Sequence, residues 1–211
     1  MRRLLLLTVF LALAGSSIAL AGRGDPQERF TPADQARAKS MLLRQADLGA
    51  GFSATPITEG GDFYCKALDE SDLTLTAESV KRFARGSVGI LSLAQVYDSL
   101  SDANASWRRG TSEAGEKCFG DALRRQLMGE GVRDITFQRL AFPRLAQRSD
   151  AYRLVGFVQG VPAFVDIVVL QQSRAHAALF MASVFQPVLK PEQVRLARIV
   201  AGRMAKSMRG A

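Results

Sequence analysis

Few side chains in this chain could do chemistry: two cysteines, Cys65 and Cys118, and one histidine, His176. Any Ser-His or Cys-His mechanism must use His176, and a strand register tests that. If Ser173-Arg174 is a two-residue hairpin loop, His176 pairs with Gln171 and shares a sheet face with Val165, Ile167, Val169 and Phe180. Asp166, the nearest acid on these strands, then pairs with Met181 and points to the opposite face. A His–Asp dyad from this hairpin is excluded, and His176 reads as a hydrogen-bonded residue near the sheet end. Asp166 has a different reading. With a two-residue loop at Gly160-Val161, Arg153 is its diagonal neighbour, on a face shared with Val155, Phe157, Phe164, Val168, Leu179 and Met181. An ion pair in an apolar face is either structural or the floor of a pocket. Arg153 and Asp166 are therefore the candidate ligand-binding residues. The other face of these strands is apolar too, so the sheet must be covered on both sides, by helices or by a ligand.

Other signatures exclude more than they assign. The carboxylates Asp69, Glu70 and Asp72 could make a paired acid set, but in a polar loop they read as solvated charge. No G-x-S-x-G, S-x-x-K, P-loop or H-E-x-x-H is present, so no residue is assigned a catalytic role. The calcium-loop pattern is absent, and no metal site or cofactor is expected. Residues 49–54 (GAGFSA) match a dinucleotide-binding pattern, but they follow a helix and open none, which removes that reading.

The N-terminus points to export. Met1-Arg2-Arg3 is a basic n-region, Leu4 to Ala14 an apolar run, and Ala19-Leu20-Ala21 a signal-peptidase pattern with cleavage between Ala21 and Gly22. The alternative, a retained membrane anchor, fits less well, because a span needs about 20 apolar residues. Cleavage removes Arg2 and Arg3 from a chain of 28 basic and 20 acidic residues, so the mature protein stays mildly basic. Without a concentrated basic patch nucleic acid is not an expected partner, whereas weak attraction to anionic envelope surfaces is. In an exported chain the even cysteine count implies a Cys65–Cys118 disulfide. It closes a loop of about 54 residues, for which the chain-entropy model gives roughly 4 kcal/mol.

The elements that position these residues follow from periodicity. Residues 22–30 are polar and aperiodic, an expected flexible arm that includes the adhesion-type tripeptide Arg23-Gly24-Asp25. Thr31-Pro32-Ala33-Asp34 starts a helix, with Thr31 as N-cap, that runs toward Gly49. Thr74 to Ala77 and Val88 to Tyr97 are strands. A helix from Ser101 carries Ala103, Trp107, Ala114 and Cys118 on one stripe, and a short helix follows at Asp121 to Met128. Strands at 135–142, 151–158, 163–170 and 175–185 form a meander. Lys190 to Met208 is an amphipathic helix with Val194, Ala197, Val200, Met204 and Met208 inward. The expectation is a single α+β domain over residues 31–211: an antiparallel sheet of about five to six strands flanked by N-terminal, central and C-terminal helices.

This layout, with Leu48-Gly49-Ala50-Gly51-Phe52 after the first helix, Cys65 before two strands and Cys118 in the central helix, resembles the exported sensor-like domains of actinobacteria. The extracellular domain of the mycobacterial kinase PknH is an example. The resemblance implies a helix-flanked antiparallel sheet fastened by disulfides, with a cleft that binds a ligand. Those relatives carry two disulfides and this chain can form one, so only Cys65 and Cys118 carry over. The resulting expectation is an exported, non-catalytic, ligand- or partner-binding domain of the bacterial cell envelope. Its partner would be a small molecule, a lipid or an envelope protein. The alternative is a small envelope hydrolase or isomerase using carboxylates. Protein recovered from its exporting host should have the mass of the chain from Gly22 less two hydrogens. A mass starting at Met1, or free thiols after unfolding without reductant, would refute cleavage or the disulfide respectively.

Overall fold

A computed structural model describes residues 24–57 and 65–209. The expected signal peptide and its cleavage point, Ala21 and Gly22, lie outside the described residues. The chain forms one mixed α+β layer structure. Its strands are β1 (Gln27–Glu28), β2 (Ser53–Ala54), β3 (Thr74–Arg85), β4 (Val88–Tyr97), β5 (Val132–Leu140), β6 (Arg148–Val158), β7 (Val161–Gln172) and β8 (Ala175–Val184). Its helices are α1 (Pro32–Met41), α2 (Leu100–Gly110), α3 (Glu113–Gly129) and α4 (Lys190–Ser207). The sheet order is β1-β3-β4-β8-β7-β6-β5, with β2 also on β3, which makes eight strands among the described residues.

Two expectations change here. The strand count is higher, and the sheet is mixed, because β1 runs parallel to β3. The parallel strand comes from the supposed arm, and the count rises by β1 there and by the two-residue β2 on β3. The Gln27 and Arg29 amides donate to the Leu73 and Leu75 carbonyls, and Thr31 continues the series to Thr76. Residues that lack periodicity are thus held mainly by backbone bonds, which no side-chain pattern reports.

The first helix ends at Met41 rather than near Gly49. Met41, Leu42 and Leu43 are all buried, and three consecutive side chains cannot share one helical stripe. Leu42 turns to extended backbone instead, and the Leu43 amide donates to Ser92 Oγ at 3.1 Å. The central helix is two helices. Ser112 caps α3 by accepting from the Gly115 amide at 3.0 Å, and α3 then runs unbroken through Gly120. Only glycine fits at 115, where a Cβ would lie 1.9 Å from the Arg109 carbonyl oxygen.

The β7–β8 register matches the hairpin expectation: His176 pairs with Gln171, and Asp166 with Met181. The β6–β7 register differs by two residues. Gln159 and Gly160 both have positive φ, 50° and 80°, as a two-residue primed turn requires. The turn therefore sits one residue before Gly160-Val161 and sets Arg153 directly opposite Asp166.

The sheet is covered on both faces. On one, α1 and α4 pack Ala38, Met41, Leu196, Val200 and Met204 against Ala94, Val168, Leu179 and Met181. On the other, α3 packs Leu127 on Val132 and Leu154, and α2 packs Ala103 on Leu75 and Tyr97. The first face carries a buried ion pair. The Asp34 carboxylate accepts from Arg174 at 2.8 and 3.0 Å, from Thr76 Oγ1 at 2.7 Å and from Arg37 at 2.6 Å. Burial alone would raise its pKa, but these bonds outweigh burial and hold it far below the usual carboxylate range. Asp34→Asn should cost about 3–5 kcal/mol, because Arg174 is left buried without its counter-charge. Because the folded pKa is depressed, this stability is complete above the unfolded value near 4 and declines as pH falls toward the folded value. Urea titrations from pH 7 to pH 3 should show the gap between wild type and Asp34→Asn narrowing below about pH 4. A gap independent of pH would refute the assignment.

Candidate functional site

Between the sheet and the α2–α3 layer lies a cavity of about 210 Å³. Its floor is the face that the hairpin register gives to His176. Ile167 and Val169 come from β7, His176, Ala178 and Phe180 from β8, and Leu93, Gln95 and Tyr97 from β4. The roof is Ser106 and Trp107 of α2 with Glu116 and Phe119 of α3. Leu68 and Glu70 line one end, and Phe137 and Tyr152 the other.

Local sequence explains why these groups converge. Strand alternation sends every second residue of β4, β7 and β8 to this face. The break at Thr111-Ser112 lets Trp107 and Phe119 approach from separate helices. The disulfide holds the third wall. Cys65 and Cys118 are joined, with Cα atoms 6.3 Å apart, so the turn at Lys66–Leu68 is fixed to α3. Among the described residues no helix is long and apolar enough to cross a membrane.

The rings form two clusters. Tyr97 and Trp107 meet His176 edge-on, with centroids 5.0 and 5.9 Å away. Phe137 stacks on Tyr152 at 5.5 Å and meets Phe119 at 6.0 Å. Each cluster has a carboxylate. Tyr97 donates to Glu70 Oε2 at 3.0 Å and lies 2.8 Å from Ser106 Oγ. Tyr152 donates to Glu116 Oε1 at 2.8 Å. Burial pushes Glu70 up, against the lowering by the Ser106 and Tyr97 hydroxyls. Burial also raises both tyrosines, and the neighbouring carboxylates add to it.

The residues singled out from sequence separate into two groups. Arg153 Nε and Asp166 Oδ1 do form an ion pair, at 2.6 Å. It lies on the α4 side of the sheet, whereas the cavity lies on the other. Burial raises the Asp166 pKa and Arg153 opposes it. Of the three loop acids, Asp69 accepts from the Ser71 amide and hydroxyl, and Asp72 takes a two-pronged bond from Arg109. Glu70 does not behave as solvated charge; it turns into the cavity. Nothing in its spacing marks it, since Tyr97 and Ser106 are brought to it only by the fold. Gly24 and Asp25 of the adhesion-type tripeptide line the cavity. Among the described residues, no three metal-ligating side chains come together.

No protein-family model matches the chain, and no curated protein is significantly similar to it. The site must be read from its own chemistry.

His176, at the cavity floor, is also strongly perturbed. Burial lowers its pKa to about 4, against a hydrogen bond to the Ala103 backbone that works the other way. The imidazole is therefore neutral at pH 7. Between about pH 6.5 and 4 the unfolded chain binds a proton that the folded chain refuses, so stability falls as pH drops through that window. The loss is on the order of 3 kcal/mol. Denaturant unfolding of His176→Gln should show a flatter pH dependence between pH 6.5 and 4 than wild type. Parallel profiles would mean that His176 titrates normally.

Proposed function

We propose that this protein is an exported ligand-binding domain of the cell envelope, and that its ligand sits in the cavity between the sheet and α2–α3. The observation that carries the reading is the cavity itself. Packed cores rarely tolerate such voids. Apolar walls with a few placed polar groups are the usual composition of a small-molecule site. An apolar cavity of roughly 150 Å³ accommodates benzene, so this one suits a ligand a little larger. The signal-like N-terminus and the disulfide support an oxidising location. The resemblance to exported sensor-like domains points the same way. The Arg153–Asp166 pair takes a structural role in this reading, coupling β6 to β7 under the α4 side.

Native mass spectrometry of protein purified from its exporting host is the test. Wild type should carry an added mass that disappears on denaturation. Ala178→Phe, which fills the floor, should lose that mass while keeping its circular dichroism spectrum. Arg153→Ala should retain it. A bare wild-type mass would refute a captured ligand, and loss in Arg153→Ala alone would move the site to the opposite face.

A further inference from the structure

The cavity also has a charge preference, and this inference rests on its being a ligand site. The chain is rich in cations, with 28 Lys and Arg against 20 Asp and Glu. Yet no described Lys or Arg lines the cavity, and its charged lining residues are Asp25, Glu70 and Glu116. Glu78 stands directly behind, accepting from Gln95 Nε2 at 2.8 Å. The nearest cations lie outside the lining and have other partners or positions. Arg109 is bound to Asp72 through both guanidinium nitrogens. Arg139 pairs with Asp150 and reaches Glu116 at 3.3 Å. Arg148 starts β6, beside Gln171 at the sheet end. Glu70 differs from Glu116, which has Arg139 beside it, because the side-chain bonds of Glu70 come from the neutral hydroxyls of Tyr97 and Ser106.

The cavity that holds Glu70 is walled by aromatic rings, of which Tyr97 bonds to Glu70 directly. Tyr97, Trp107, Phe119, Phe137, Tyr152 and Phe180 all line the cavity. Ring faces carry partial negative charge and attract cations, most strongly where water is excluded. An anion would meet the carboxylates and the ring faces with the wrong sign throughout. A neutral apolar molecule would gain burial but leave the Glu70 carboxylate with only the more distant Arg109 charge, which is bound to Asp72.

We infer that the cavity binds an organic cation, an apolar ammonium compound whose charge lies beside Glu70 within the aromatic walls. Burial already disfavours the Glu70 charge in the free protein, and a cation restores the partner that solvent no longer supplies. The basic exterior does not compete for such a ligand; it repels it weakly and leaves selection to the cavity.

Three probes of similar size separate charge from shape: benzyltrimethylammonium, its neutral isostere neopentylbenzene, and the anion phenylacetate. Trp107 is the only tryptophan and lines the cavity, so its fluorescence reports each titration. Benzyltrimethylammonium should bind at least ten-fold more tightly than neopentylbenzene, and phenylacetate should leave the emission unchanged. Glu70→Gln, which keeps an acceptor for Tyr97, should erase the ten-fold preference while neopentylbenzene binds as before. Equal affinity of the cation and the neutral isostere in wild type overturns the inference yet leaves the cavity a binding site. A preference that survives in folded Glu70→Gln overturns the role of Glu70. No response to any probe overturns the cavity reading itself.

Discussion

The Asp34–Arg174 ion pair is the contact on which most of the rest depends. Arg174 sits in the two-residue turn between β7 and β8, after Ser173 with its φ of 53°. Its guanidinium reaches the Asp34 carboxylate on α1 and donates to the Tyr97 carbonyl at the end of β4 at 2.7 Å. Its own carbonyl accepts from the Tyr97 amide at 2.9 Å. One side chain thus ties together the N-terminal helix, the central strands and a hairpin far away in sequence. Buried pairs contribute less net stability than their distances imply, because both charges must be desolvated. Their strength is in specificity: any other register of the hairpin would leave Arg174 buried without its counter-charge and Asp34 with Arg37 as its one cation.

The same anchor positions the cavity. Tyr97 is held by its backbone on the Arg174 side, and its ring projects through to the other face, where it meets His176 and Glu70. His176 is two residues past Arg174, so the turn that sets the register also sets the imidazole against Tyr97. On the roof, the disulfide and the Ser112 cap fix α3, and a second pair fastens α4. There Arg203 donates to Asp47 at 2.6 and 2.8 Å and to the Leu42 carbonyl at 2.7 Å. Two arginines of the basic C-terminal helix, Arg195 and Arg203, are thereby spent on the turn at Asp47. Charge that would read as a solvated face instead fastens the helix to the fold.

Helices on both faces explain why strands such as β7 carry apolar residues on both sides. They do not cover the two faces equally. α1 and α4 fill one side with a continuous core, whereas α2 and α3 leave a gap over the centre of β4, β7 and β8. The gap exists because the roof is made of two short helices meeting at Thr111-Ser112, with glycine at 115 allowing the close turn. A single straight helix would place Trp107 and Cys118 on one stripe and could not enclose the same volume between them.

The local sequence determined whatever depends on near neighbours. Strand alternation fixed the faces of β6, β7 and β8, so His176 and Asp166 separate as their parity requires. Ser173-Arg174 fixed one hairpin, the Thr31-Pro32 start fixed α1, and two cysteines allowed a single pairing. The tertiary structure alone decided the rest. A one-residue shift of the β6–β7 turn depends on which residues accept positive φ, and several nearly equivalent choices existed. β1 is held by backbone bonds to β3, with no side-chain periodicity to announce it. Glu70, Tyr97, Ser106 and Trp107 are remote or unpatterned in sequence, and neither their convergence nor the empty volume between them has a local signature. Packing created that volume, and packing is a property of the whole fold.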